Sequence, residues 1–143
     1  MKAPTLRDAD AVPTRNSTNV LVVALGVAPI EAPNGNVLVV APALNSWLRR
    51  WASDDGRARC LAAARVRAYL EQLEPRGVHA EGRVGDSDPL LAIADALTTF
   101  PADEILIVAD PHAAPRAEEL ALRARMRFSL PTSSAREPLS LAA

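Results

Sequence analysis

Residues 81–110 limit the folds open to this chain more than any other stretch of the sequence. Within them, Ser87 or Asp88 can cap a helix that begins at Pro89, a position that needs no N–H donor. The apolar residues of this helix recur at the spacing of one helical face: Leu90, Ile93, Ala94 and Leu97. Residues 104–109 are apolar without alternation, which indicates a strand covered on both faces. We therefore predict a strand-helix-strand unit with a right-handed crossover, within a parallel sheet.

Two earlier strands share the same six residues. The string NVLVVA occurs at 19–24 and again at 36–41. A parallel crossover usually needs a dozen or more residues and a helix, whereas residues 26–35 contain two prolines and two glycines. Two arrangements therefore stay open: a parallel pair that lacks its crossover helix, or an antiparallel pair joined by a wide loop.

The rest of the chain alternates between helical and extended patterns. We predict a short amphipathic helix that carries Trp47 and Trp51, a longer helix over about 57–73, a weak edge strand over 78–84 and a last helix over 116–129. Taken together, the patterns predict a disordered arm over 1–18, one α/β domain over 19–130 and a tail without a strand over 131–143.

Composition excludes several classes of protein. The net charge of −1 gives no electrostatic support for a nucleic-acid partner or for binding to an anionic membrane. No apolar run approaches the roughly 18 residues of a membrane span, and the first residues lack the apolar core of a signal peptide. The single cysteine, Cys60, excludes a disulfide framework and a thiolate metal cluster. We expect a cytoplasmic protein with neither nucleic-acid nor membrane partners.

The strings VLVVAPALNSWLRRWASDDGRAR (37–59) and GRVGDSDPLLAIADALTTFPADEILIV (82–108) resemble the universal stress protein (UspA-like) family. The likeness is to small divergent members of actinobacterial type. The resemblance implies an α/β fold of adenine-nucleotide-hydrolase type, with a single open, mostly parallel sheet of order 3-2-1-4-5 and helices on both faces. In this chain we expect the order 3-2-1-4, with the fifth strand degraded or absent and no helix between the first two strands.

The resemblance also implies a place for a ligand. Nucleotide-binding members hold ATP beyond the carboxyl ends of the first and fourth strands, using an acidic residue after the first strand and a glycine loop after the fourth. Here Gly26 lies where the acidic residue is expected, and no glycine occurs in residues 109–143. The candidate site residues are Gly26, Asp110, His112 and Arg116. In a functional interpretation His112 and Arg116 contact an anion, whereas in a structural one Asp110 forms a turn and His112 is an exposed loop side chain.

Other candidate residues have structural explanations as well. Asp86 and Asp88 could bind a metal ion, although turn formation and helix capping explain both. Trp47 and Trp51 could form a stacking platform, but their spacing favours packing against the sheet. The sequence contains neither a Gly-x-Ser-x-Gly string nor a Walker-type loop. We predict no catalytic residue and no metal site, and an adenine nucleotide such as ATP is the only cofactor that the resemblance suggests.

Two functions follow from these observations. The first is a universal stress protein-like regulatory or stress-response module, non-enzymatic, with a degenerate adenine-nucleotide site. The alternative is a ligand-free interaction or scaffold domain that acts through self-association as a homodimer or through another protein. Its contact surface would be the Trp47 and Trp51 helix, or an apolar sheet face that the missing helix leaves exposed, because large apolar patches mark association surfaces.

Overall fold

The structure is a computed structural model that describes residues 18–44 and 55–136. Five strands form one sheet: β1 Val20–Ala24, β2 Asn36–Pro42, β3 His79–Gly85, β4 Glu104–Ala109 and β5 Thr132–Arg136. All neighbouring strands are parallel, in the order β3-β2-β1-β4-β5. The helices are α1 Asp55–Leu73, α2 Pro89–Leu97 and α3 Ala114–Phe128, with 3-10 turns at Glu74–Arg76 and Pro111–Ala113. The predicted fold class, an open parallel α/β sheet with flanking helices, is confirmed.

The repeated string pairs with itself. β1 and β2 are parallel, and each residue lies beside its own copy: Val20 with Val37, Leu21 with Leu38, Val22 with Val39 and Val23 with Val40. Since side chains alternate between the two faces of a strand, this register places equal side chains next to each other on both faces. The parallel arrangement without a crossover helix is therefore the one that the chain adopts.

Residues 25–35 join β1 to β2, and we call this segment the strap. It contains no helix, and it buries Ala28 and Ile30 against the same sheet face that α1 covers. The β1 residues on that face, Val20, Val22 and Ala24, are at most 3% exposed. The prediction of an exposed apolar face at the missing helix is therefore wrong, because the strap and α1 cover it.

The other face of the sheet carries α2 and α3. Their buried side chains pack against the second set of strand residues: Leu21 and Val23 of β1, Leu38 and Val40 of β2, and Ile105 and Ile107 of β4. Asp88, one of the two predicted caps, accepts a hydrogen bond from Leu90 N at 3.0 Å at the start of α2. The buried face of α2 is formed by Ile93 with Ala92 and Ala96, so it is rotated slightly from the predicted stripe.

The fifth strand, expected to be degraded or absent, is present. Thr132–Arg136 pairs in parallel with β4, and the predicted tail from residue 131 therefore begins inside the sheet. This strand has no apolar pattern, since its sequence is TSSAR and only Thr132 is buried among its described side chains. Backbone pairing to β4 rather than side-chain burial forms it, which a hydrophobicity pattern does not reveal. Residues 1–17 of the predicted arm (1–18) and the Trp47 and Trp51 helix lie outside the described residues.

Candidate functional site

The predicted site lies where the chain connections diverge. β1 leads to β2 on one side and β4 leads to β5 on the other, so the carboxyl ends of β1 and β4 form the switch point at which open α/β sheets bind ligands. Leu25 N and Gly26 N both donate to Val108 O, at 2.9 and 3.3 Å. These bonds keep the start of the strap on β4 and bring Gly26 next to Asp110.

Gly26 is required by this close approach. A Cβ at this position would lie 2.7 Å from Asp110 N and 3.1 Å from Asp110 Oδ2. Only glycine lets the backbone come so near. The structure therefore brings two of the four predicted site residues, Gly26 and Asp110, into contact.

Asp110 acts as a cap at the switch point. Its Oδ1 accepts a hydrogen bond from Ala113 N at 3.1 Å, and it begins the 3-10 turn Pro111–Ala113. A phosphate-binding loop would offer free N–H groups here, whereas this turn satisfies Ala113 N internally with a carboxylate. The structural interpretation of Asp110, a turn residue, is the one that its hydrogen bonds support.

A tyrosine reaches the same place from α1. Tyr69 is fully buried, its hydroxyl donates to Gly26 O at 2.7 Å, and it accepts from Ala28 N at 3.0 Å. Burial is the main reason that the pKa of Tyr69 is raised to about 12. The hydrogen bond from Ala28 N and the charge of Arg65 oppose this rise, and the charge of Asp110 makes the smallest contribution, which also raises the pKa. Neutral pH therefore leaves this hydroxyl protonated and able to donate.

Tyr69 belongs to a row of polar side chains that bind the strap. Gln72 accepts from Ile30 N at 3.1 Å and donates to Ala28 O at 3.0 Å, while Arg76 Nη1 donates to Ile30 O at 2.8 Å. A non-helical segment cannot satisfy its own buried backbone groups, so these side chains do it instead. The strap is therefore held by side chains rather than by a hydrogen-bond ladder.

Arg65 extends this row to the strand ends. Its guanidinium donates from Nε to Ala24 O at 3.1 Å and from Nη2 to Pro42 O, so it joins the carboxyl ends of β1 and β2. Burial lowers the pKa of Arg65 from its ordinary value. This row was not predicted from the sequence, although the spacing of Arg65, Tyr69, Gln72 and Arg76 follows one helical face and could have indicated it.

His112 and Arg116 are not grouped with the other two predicted residues. His112 is exposed in the 3-10 turn after β4. Arg116 is exposed on α3, where it lines a groove of about 160 Å³ between α2 and α3 that contains neither Asp110 nor His112. The anion contact from His112 and Arg116 therefore has no common pocket in the described part of the chain.

A larger cleft lies beside the switch point, at the carboxyl ends of β2 and β3. It has a volume of about 390 Å³ and is lined by Val40, Ala43, Arg59, Arg83, Val84, Gly85, Asp86, Ser87, Ala92, Asp95 and Ala96. We call it the β2–β3 cleft. No local sequence pattern indicates this cleft, because its lining comes from two strands, two helices and a turn.

The acidic pair Asp86 and Asp88 performs the structural roles expected of it. Asp86 Oδ1 accepts from Asp88 N at 2.9 Å, and Asp88 in turn caps α2. Among residues 18–44 and 55–136, no group of three or more His, Cys, Asp or Glu side chains is placed to hold a metal ion. No helix in the described ranges is long and apolar enough to span a membrane.

No protein-family model matches this chain, and a search of curated proteins finds no match either. The resemblance to universal stress proteins therefore depends on the two strings that carry it.

Proposed function

We propose that this protein is a non-enzymatic regulatory module of universal stress protein type that acts through protein association, without holding ATP at its switch point. The observation that supports this most directly is the position of Asp110. Its carboxylate lies against Gly26 and caps the following turn, where a nucleotide would place its phosphates.

The charge at this position opposes phosphate binding. Two like charges about 4 Å apart repel each other by about 4 kcal/mol at an effective dielectric constant of about 20. A triphosphate carries several such charges, and no glycine in residues 109–143 lets the backbone approach it. A nucleotide would therefore have to displace the Asp110 side chain from Ala113 N and would gain no nest of donors in return.

The proposed absence of enzymatic activity is supported by the roles of the polar groups at the switch point. The Asp110 carboxylate is engaged as a cap, and the raised pKa of Tyr69, about 12, makes its hydroxyl a poor general base or nucleophile at neutral pH. Both groups also hold backbone in place. Their arrangement supports a structural role rather than turnover of a substrate.

The partner that we propose is a second copy of this chain. Within the described residues β5 is the last strand of the sheet, so one of its edges is open to pairing. On α3, Leu122 and Met126 are 53% and 76% exposed and lie one helical turn apart.

Leu122 and Met126 lie within one helical turn of α3 side chains that reach the open edge strand. Glu118, one turn before Leu122, lines a small cavity with Ser134 and Ala135 of β5, and Arg125 Nε donates to Thr132 O at 3.1 Å. An open strand edge flanked by apolar side chains is suited to strand addition. A different protein that docks on the same edge is the second candidate.

Calorimetric titration with ATP, AMP and cyclic AMP, with and without Mg²⁺, tests the proposed loss of nucleotide binding. We expect no heat of binding with ATP. Asp110→Asn is the matched variant, because its side-chain oxygen can still accept from Ala113 N while its negative charge is gone. If the Asp110→Asn variant binds ATP weakly and the natural chain does not, the negative charge of Asp110 is what prevents ATP binding. Binding of ATP to the natural chain near −8 kcal/mol, a Kd of about 1 μM, would contradict the proposal.

A further inference from the structure

The β2–β3 cleft has the size of a binding site for a small molecule. Its volume of about 390 Å³ lies within the range of roughly 300 to 1,000 Å³ that is usual for such sites. Neither β1 nor β4 contributes to its lining, so it is separate from the switch point. A ligand in this cleft therefore does not require the Asp110 side chain to leave the switch point.

The floor of the cleft is aliphatic. Val40, Ala43, Ala92 and Ala96 line it and are at most 8% exposed. A Cβ at Gly85 would lie 2.8 Å from Ala92 Cβ, so the glycine lets α2 pack closely on the strand ends. None of the lining residues that the structure describes is aromatic. This floor suits a short aliphatic group.

The rim carries charges of both signs. Arg59 of α1 and Arg83 of β3 line the cleft together with Asp86 of the following turn and Asp95 of α2. Arg83 Nη1 donates to Thr99 Oγ1 at 2.7 Å, a neutral partner that orients the guanidinium without cancelling its charge. Asp86 is oriented in turn by its bond from Asp88 N.

Among the lining residues that the structure describes, two side chains are positive and two are negative, which favours one class of ligand. An anion is attracted by the two arginines and repelled by the two aspartates, and the reverse holds for a cation. A zwitterion can interact favourably with both pairs, because it carries one charge of each sign. Arginine is also suited to a carboxylate, because its guanidinium can bind both oxygens at once.

We propose that the β2–β3 cleft binds a small zwitterion with an aliphatic group, of the class of free aliphatic amino acids. The ligand's carboxylate lies on Arg59 and Arg83, its ammonium group on Asp86 and Asp95, and its aliphatic group on the alanine and valine floor. This inference goes beyond the function proposed above and does not depend on it.

The test is a calorimetric titration of the full chain with L-leucine as the probe, followed by amide NMR spectra. We expect a Kd of about 1 mM or tighter, with shifts at Gly85 and Ser87. Leucinamide lacks the carboxylate and N-acetylleucine lacks the ammonium group, so each should bind about tenfold or more weakly than leucine.

Three variants complete the experiment. Arg83→Gln and Asp95→Asn should each weaken leucine binding about tenfold or more, and their amide NMR spectra check that each variant is folded. Arg123→Gln is the matched control, since Arg123 is an exposed arginine of the α2–α3 groove, and it should leave the affinity unchanged.

Each of the following results would overturn the proposal. Leucine could fail to bind at about 10 mM, well above the expected Kd. N-acetylleucine could bind as tightly as leucine, which would indicate a simple anion site. AMP could bind the cleft more tightly than leucine, which would indicate a nucleotide site, and leucine shifts confined to other parts of the chain would place its binding elsewhere.

Discussion

Tyr69 links the strap, α1 and the switch point through a single hydroxyl group. It both donates to and accepts from the strap backbone, and its side chain is fully buried. A buried donor or acceptor that loses its partner costs about 1 to 3 kcal/mol. This one side chain therefore contributes to the stability of a segment that has no hydrogen-bond ladder of its own.

The raised pKa of Tyr69 predicts a loss of stability in alkali. The folded chain holds this proton up to about pH 12, whereas the unfolded chain releases it near 10.0. Below pH 10 the contribution is fully present, and it is lost as the pH rises through the folded-state pKa, because the unfolded state alone can ionise. Two pKa units correspond to about 2 to 3 kcal/mol. Urea unfolding at a series of alkaline pH values measures this loss.

The ionisation of Tyr69 can be followed directly in the natural chain, and Tyr69→Phe is its control. Tyr69 is the only tyrosine, so the near-ultraviolet absorbance of tyrosinate reports its ionisation alone. Tyr69→Phe should be less stable by about 1 to 3 kcal/mol at neutral pH and should lack the Tyr69 part of the alkaline loss. An absorbance change centred near pH 10 in the folded protein would show that the hydroxyl is not held as described.

The location of Gly26 and Asp110 could be predicted before the structure was known, whereas the contact between them could not. Both residues follow strand ends, and the resemblance to universal stress proteins implied that both belong to the switch point. It did not reveal that glycine is required by a backbone contact, because that contact depends on how closely β1 and β4 approach. The types and order of the residues indicated that they lie at the switch point. The distance between the two strands decided that a glycine is required there.

At the scale of elements, α1 and the strap replace a missing helix. The strap covers β1 with few apolar side chains, Ala28 and Ile30 among them, while α1 supplies the hydrogen bonds that its backbone needs. A crossover helix would satisfy its own backbone and bury a whole apolar stripe. Here the two tasks are divided between two segments far apart in sequence.

The helix α2 allows a direct test of the predicted core. Ile93 is fully buried, and Ile93→Ala should reduce the free energy of unfolding by about 2 to 5 kcal/mol because it removes packed methyl groups and leaves a cavity. Leu91 lies on the same helix but is 43% exposed. Leu91→Ala is therefore the matched control, with an expected loss within about 0.5 kcal/mol in urea unfolding. A loss below about 1 kcal/mol for Ile93→Ala would remove α2 from the core.

At the scale of the whole molecule, the open edge at β5 leads to a prediction about assembly. The double variant Leu122→Glu with Met126→Glu adds two charges beside this edge and should convert a dimer to a monomer. Light scattering after gel filtration at micromolar concentration measures the mass. The physical reason is that charged side chains oppose both apolar contact and strand addition at an edge.

A second exposed leucine provides the comparison for this experiment. Leu91 lies on α2, which packs on β2 and β3 rather than on β5, so Leu91→Glu should leave the dimer intact. If the natural chain is a monomer at every concentration tested, the proposed homodimer is wrong. If Leu91→Glu dissociates the dimer as well, the interface lies elsewhere.

The sequence by itself determined the elements whose pattern is local. The strand Glu104–Ala109, the start of α2 at Pro89 and the end of α1 at Leu73 follow from apolar runs, helical periodicity, proline and glycine within a few residues of each element. Such signals can be recognised without knowing which other segment of the chain the helix or strand packs against. The class of the fold followed from the order of these elements.

Only the tertiary structure decided the parallel pairing of β1 and β2, the cover provided by the strap, the fifth strand and the β2–β3 cleft. Each depends on contacts between distant parts of the chain: the bond from Tyr69 to Gly26 spans 43 residues, and the one from Gln72 to Ala28 spans 44. A polar side chain at helical spacing has the same local pattern whether it faces solvent or a strap. The backbone groups that make these residues structural are brought to them only by the folded chain.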